Sequence, residues 1–319
     1  MAEASLDVSV VICTYTAARW HDLVAAVESL HRQSKPPREI IVVVDHNQCL
    51  LERVHAELLG VVVVENSESQ GLSGARNSGI AVARGALLAF LDDDAAAEPD
   101  WLARLCQCFE DARILGVGGT VVPAWSSKPP LWFPREFYWV IGCSYQDLPE
   151  KPVVVRNPLG GCACYRREMF EMVGGFRPEI GRVGTLPMGC EETELCIRAS
   201  QRWPQKIFLY EPQARIHHHI PLSRASWHYF RTRCFAEGLS KATVTQFVGS
   251  KDALLTERTY IIRTLLGGMV RGVMNGILHL DGTGFAQAGA IAAGLTITIA
   301  GYATGIIARR FTRPKEMNR

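Results

Sequence analysis

The chain has 319 residues, 48% of them apolar and 21% charged, with a formal net charge of +2. That length supplies one large domain or two ordinary ones, and the near-balanced charge excludes a bulk electrostatic attraction to nucleic acid. Ten cysteines with no Cys-x-x-Cys pair argue against a disulfide framework and against zinc, and read as reduced, buried thiols in a cytosolic setting.

Met1–Asp7 is short and polar, and the apolar run behind it has only strand length, so the start reads as no secretory signal. Val8–Cys13 is a near-continuous apolar strand. Trp20, Leu23, Val24, Val27 and Leu30 then recur at helical spacing until Pro36-Pro37 ends the pattern. Ile40–Val44 is a second buried strand, followed by a helix over Cys49–Leu59, a strand over Val61–Val64, a helix over Gly71–Ala83 and a strand over Leu87–Leu91. This alternation predicts right-handed βαβ units and a mostly parallel α/β sheet flanked by helices. Ligands bind such sheets at the carboxyl ends of the strands. Three polar clusters fall there: Thr14-Tyr15-Thr16, Asp45-His46-Asn47 and Asp92-Asp93-Asp94.

The last cluster is the most informative. Three adjacent carboxylates repel one another, and each must be hydrated or paired. A hard divalent cation, Mg²⁺ or Mn²⁺, resolves the conflict and can hold a diphosphate. Residues 123–150, rich in Pro, Trp, Phe and Tyr, read as a long irregular excursion of the kind used as a binding loop or lid. A strand over Gly160–Arg166, a short helix over Glu168–Val173, a helix over Glu191–Gln201 and a strand over Gln213–Ile216 follow. Arg224, Arg231 and Arg233 alternate with Trp227, Tyr229 and Phe230, which suits either acidic headgroups and an acceptor diphosphate or an ordinary half-buried helix.

The tail differs. Gly282–Ala308 contains no charged residue and is long enough to span a bilayer, with Arg309, Arg310, Arg313 and Lys315 directly behind it. Gly301 and Gly305 form a small-xxx-small pair that favours close helix approach and helix-mediated self-association. Ile261–Leu280 carries Arg263, Arg271 and His279 among apolar residues and suits an interfacial helix. Membrane association through residues 261–308 is the expectation; a buried helical hairpin is the alternative.

The ordered set Val8–Tyr15, Ile40–Asp45, Gly71-Leu-Ser-Gly-Ala-Arg-Asn-Ser-Gly79, Phe90–Asp94, Pro99-Asp-Trp101, Gly174-Gly-Phe176 and Glu191–Arg198 resembles glycosyltransferase family 2, inverting enzymes of the GT-A fold. The resemblance implies a GT-A sheet over residues 1–238, with 1–120 holding nucleotide and 121–238 acceptor; the apolar composition behind it sets off a C-terminal helical region over 239–319. It implies a metal-dependent hexosyl transfer from a nucleotide-sugar, UDP-linked, to an acceptor hydroxyl; the apolar tail points to a lipid-linked or cell-envelope saccharide acceptor on the cytoplasmic side of the cell membrane, in polysaccharide synthesis. Nucleic acid is not an expected partner.

Residue by residue, the resemblance implies that Asp45 contacts the base, with Thr14 and Tyr15 as pocket walls, and that Arg76 contacts base or phosphate. Asp92 and Asp94 match the Asp-x-Asp motif, Asp94 as direct metal ligand and Asp92 toward ribose or metal-bound water, with Asp93 between them on the nucleotide-sugar. His218 aligns with a late metal ligand. Glu192 stands where the family has its base aspartate; the extra methylene leaves Glu191 as the alternative base. Gln201-Arg202-Trp203 lacks the spacing of the processive Gln-x-x-Arg-Trp motif, so repetitive polymer synthesis is not expected. A nucleotidyltransferase and a catalytically degenerate membrane-bound nucleotide-binding protein are the alternatives.

Overall fold

The computed structural model describes residues 7–184, 187–280 and 282–312; the expectations for Met1–Leu6, Arg313 and Lys315 lie outside these residues. The first half runs β1 (Val8–Thr14), α1 (Trp20–His31), β2 (Glu39–Val44), α2 (Gln48–Glu57), β3 (Val62–Glu65), α3 (Leu72–Val82) and β4 (Leu87–Asp92). β1 pairs in parallel with β2 and β4, and β2 with β3. β1 and β2 are buried on both faces, which is why they read as unbroken Val/Ile runs. Asn47 caps α2, accepting from Leu50 N at 3.1 Å. α3 lies close to the sheet because Gly79 faces Val11 and Val43 with no space for a side chain.

Beyond β4 the sheet becomes mixed. β5 (Ala95–Ala97), α4 (Trp101–Cys108), β6 (Ile114–Trp125), β7 (Val153–Val155), β8 (Cys162–Arg166), α5 (Arg167–Val173), α6 (Glu191–Arg202) and β9 (Ile207–Ile220) complete it. The strand order is β3-β2-β1-β4-β8-β6-β9-β5, with β7 on β9. β8 is antiparallel to both β4 and β6, while β6 and β9 are parallel. The short β5 doubles back from the acidic turn onto the end of β9 and sets Ala95 opposite His218. Among the described residues all ten cysteines are free, six of them buried.

The excursion over 123–150 is ordered around a helical turn at Arg135–Ile141. The tail consists of α7 (Trp227–Val248), α8 (Ser250–Ala253), α9 (Glu257–Thr259), a π-helical turn at Tyr260–Leu265, α10 (Leu266–His279) and α11 (Gly282–Thr312). Two stretches, Ser250–Leu278 and Gly282–Ala308, are long and apolar enough to cross a membrane by length and composition. α11 packs on α7 through small residues. A side chain at Gly238 would collide with the backbone of Thr298 and Tyr302, at Gly301 with that of Phe235, and at Gly305 with Ala242. The close approach foreseen for Gly301 and Gly305 is therefore made within the chain.

Replacing Gly301 by Leu forces this seam apart. The expected cost is about 1–3 kcal/mol by overpacking, read as a fall in Tm; an unchanged Tm would show that α11 is not held there.

Candidate active site

The carboxyl ends of β1, β2 and β4 form the floor of one cleft, about 1120 Å³ of empty space including its solvent-filled mouth. The topology predicts this location, because neighbouring strands and their crossovers leave a crevice at that edge. Thr14, Tyr15, Asp45, Arg76, Asp92, Asp93, Asp94, Glu191, Glu192 and His218 all line it.

Asp45 follows β2 and is buried. Its Oδ1 accepts from Asn66 Nδ2 at 2.6 Å and its Oδ2 from Gly71 N at 3.0 Å. These bonds hold the carboxylate rigid at the cleft wall and join β2, β3 and the start of α3. His46 turns away to the Glu68 carbonyl, 3.0 Å from Nε2.

The acidic turn divides its three carboxylates. Asp94 Oδ1 lies 2.9 Å from His218 Nε2, and its Oδ2 lies 3.1 Å from Arg224 and 3.3 Å from Arg19. Burial opposes ionisation here, but His218, Arg224 and Arg19 outweigh it and hold Asp94 well below the usual carboxylate range. Asp93 accepts from Arg19 at 2.8 Å, yet burial pushes it up to about 6 against the pull of that arginine. Asp92 remains partly exposed to the cleft. Asp92, Asp94 and His218 bring one ligand atom each within 4.8 Å of one another. Two carboxylates and an imidazole form a mixed oxygen–nitrogen donor set that would suit Mn²⁺ better than Mg²⁺. Strand alternation on β9 selects the histidine: His218 points inward, while His217 pairs with Glu98 at 3.0 Å and His219 with Asp22 at 2.9 Å.

The two glutamates that begin α6 also separate. Glu191 Oε1 accepts from Arg76 Nη1 at 2.9 Å, and that guanidinium reaches toward Asp92 at 3.8 Å. Arg76 is itself buried, over the rings of Phe90 and Phe176. Glu191 is thus committed to an ion pair. Glu192 faces the cleft, and burial followed by the charge of Glu191 push it up to about 8, with Arg76 offsetting only part. Gly160-Gly161 packs directly against both halves of the site. A side chain at Gly161 would overlap the Asp92 carboxylate, and one at Gly160 would sit 3.2 Å from Arg76 and 3.5 Å from Glu192 Oε2.

The loop before α6 is held from α7. Cys190 adopts a left-handed φ of 72° just ahead of Glu191, unusual for a residue with a side chain. Its Sγ donates to Glu237 Oε1 at 3.2 Å, and Gly189 N donates to Ser240 Oγ at 3.1 Å. Lys241 and Arg233 overcome burial and hold Glu237 down to about 2; Lys241 reaches on to Glu257 at 2.7 Å.

Several residues that line or support the cleft escaped the sequence reading. Arg19 sits in the first βα turn with no glycine-rich motif to mark it. Asn66 supports Asp45 from the end of β3. Trp139–Gly142 come from the irregular excursion. Arg224 had been noted only as part of a basic–aromatic run; it is buried against Asp94, whereas Arg231 is exposed. Gln201 and Trp203 serve the fold: Gln201 donates to Val248 O at 2.9 Å and Trp203 packs on the apolar core.

The profile of glycosyl transferase family 2 matches residues 9–174. The chain belongs to glycosyltransferase family 2. It is 36% identical over 240 residues to the glucosyl-dolichyl phosphate glucuronosyltransferase of Haloferax volcanii, covering 74% of this chain and 76% of that one. It is 25% identical over 247 residues to the succinoglycan biosynthesis protein ExoM of Rhizobium meliloti, 75% of each chain. The fold is shared with the mannosyltransferase PcManGT of Pyrobaculum calidifontis, solved with GDP-Man and Mn²⁺, at a TM-score of 0.61, 17% identity and coverage of 95% and 88%. GalNAc-T7, solved with UDP, GalNAc and Mn²⁺, aligns at a TM-score of 0.52 and 18% identity over 82% of this chain and 57% of that one. This glycosyltransferase therefore has the GT-A architecture expected from its motifs, and the nucleotidyltransferase alternative falls.

Arg76→Met strands the buried Glu191 carboxylate without its cation. The expected loss of stability is about 3–5 kcal/mol, measured by denaturant unfolding at neutral pH; a loss under 1 kcal/mol would mean the pair is dispensable to the fold.

Proposed function

We propose that this glycosyltransferase is metal-dependent and inverting, and moves one sugar from a UDP-sugar to a hydroxyl of a lipid-linked saccharide at the cytoplasmic face of the membrane. One observation carries the reading: an Asp92–Asp94–His218 donor set and a high-pKa glutamate, Glu192, share one cleft with Asp45.

Asp45 accepts from the imide N–H of the uracil, with Tyr15 stacking beside it. Asp94, Asp92 and His218 would hold a divalent cation, which would supply Lewis-acid neutralisation of the diphosphate. Arg19 and Arg224, already at Asp94, are placed to take the charge that grows on the leaving phosphate. Glu192 accepts the proton of the acceptor hydroxyl. The acceptor oxygen then bonds to the anomeric carbon as the carbon–oxygen bond to the diphosphate breaks, and the electron pair leaves with the nucleotide. Arg76 keeps Glu191 neutralised, so one base remains free.

The lipid-linked acceptor is supported by the name of the Haloferax relative, which acts on glucosyl-dolichyl phosphate, and by the two apolar helices of the tail. The displaced Gln201-Arg202-Trp203 supports a single transfer over processive synthesis.

Glu192→Gln is expected to lower kcat by about 10²–10⁴ with UDP binding unchanged in calorimetry; retention of turnover would remove the base assignment. The working form of Glu192 is the carboxylate, so kcat/KM should climb about tenfold per pH unit from below and level off above about 8. A profile already flat at pH 6 would contradict this. In calorimetry, UDP should bind more tightly with Mn²⁺ than without, and His218→Ala should abolish most of that difference. Equal affinities in the parent would overturn the metal assignment.

A further inference from the structure

We propose that α10 and α11 lie in the plane of one membrane leaflet, as an interfacial hairpin that does not cross the bilayer, with the catalytic cleft opening on that same leaflet. This rests on the membrane association proposed above and decides its geometry.

Length alone would permit crossing: α11 has 31 residues, about 46 Å at 1.5 Å per residue, against a hydrocarbon core of about 30 Å. Packing opposes it. Gly284 abuts the backbone of α10 at Gly272 and Gly276, Gly294 abuts Phe137 and Phe230, and Gly301 and Gly305 abut α7. The first of these is internal to the hairpin; from Gly294 to Gly305 α11 is laid on the Arg135–Ile141 turn and on α7. α7 carries Arg233, Glu237 and Lys241 in an ionic network beside Glu257 and the loop before the base. A bilayer-crossing α11 would have to leave this seam or carry α7 and its ions into hydrocarbon, which is costly.

Only the outward faces are free to meet lipid. On α11 these present Phe285, Ala292, Ile299 and Ile307, with no charged residue between Gly282 and Ala308. On α10, Val270, Met274 and Ile277 are 49–63% exposed while Gly268, Gly272 and Gly276 turn inward. The partner this face fits is an anionic bilayer surface: Arg263 is exposed in the turn that leads into α10, Arg231 and Arg258 are exposed on α7 and α9, and Arg309 and Arg310 follow in the sequence. Trp227, 41% exposed, stands in the same first turn of α7 as Tyr229, which lines the cleft. An acceptor head group raised slightly from that leaflet would meet the cleft directly.

The test is topological and independent of transfer. Gly282→Cys and Ala308→Cys variants, in sealed membrane vesicles, are treated with a membrane-impermeant maleimide. The exposed native Cys49 marks the side of the catalytic domain, and labelled positions are read by mass spectrometry. Both new cysteines should label together with Cys49. Protection of position 308 alone would mean that α11 crosses, and protection of position 282 alone that the hairpin crosses and returns; either overturns the proposal. Ile299→Asp, at an exposed position, should reduce flotation with phosphatidylglycerol-containing vesicles at least several-fold while leaving Tm unchanged. A parent protein that does not float with those vesicles would refute membrane association itself, whatever its transferase activity.

Discussion

Six carboxylates line one cleft: Asp45, Asp92, Asp93, Asp94, Glu191 and Glu192. Such a concentration of like charge costs heavily unless each group has its own partner, and the partners determine what each group does. Arg19 and Arg224 take the acidic turn, Arg76 takes Glu191, and the amides of Asn66 and Gly71 take Asp45. Glu192 is left with burial and a neighbouring charge, the environment that raises a carboxyl pKa into the range of a useful base. Neighbouring glutamates on one helical turn thereby sit in opposite environments.

α7 ties this chemistry to the tail. One face supports the loop before α6, through Glu237 on Cys190 and Ser240 on Gly189. Another receives α11 at Gly238 and Ala242. The apolar hairpin is therefore part of the structure that supports the loop before α6, and the irregular segment carrying Trp139 is clamped between them, its indole donating to Tyr260 at 2.8 Å.

The parallel half of the fold was legible because its strands are buried on both faces and its helices repeat with a clear period. The acidic triplet was legible because no structural need explains three carboxylates at a buried strand end. The mixed half was legible in part: β8, α5, α6 and the Gln213–Ile216 stretch of β9 are readable from the sequence. β6 and the rest of β9 are interrupted by polar and glycine residues, and β5 is three alanines, so no local period announces them. The small-xxx-small pair at Gly301 and Gly305 correctly marked a close helix approach, but the partner helix proved to be α7 of the same chain.

Local order in the chain determined the family, the edge of the sheet that carries the site, and the residue types available there, because periodicity and motif spacing are properties of neighbouring positions. Tertiary structure decided which histidine of three faces Asp94, which glutamate is spent on Arg76, and that Arg19 and Arg224, some two hundred residues apart, converge on one carboxylate. Those outcomes depend on which strands pair and how helices dock. Contacts of that range are made by the folded core as a whole, and no local segment encodes them.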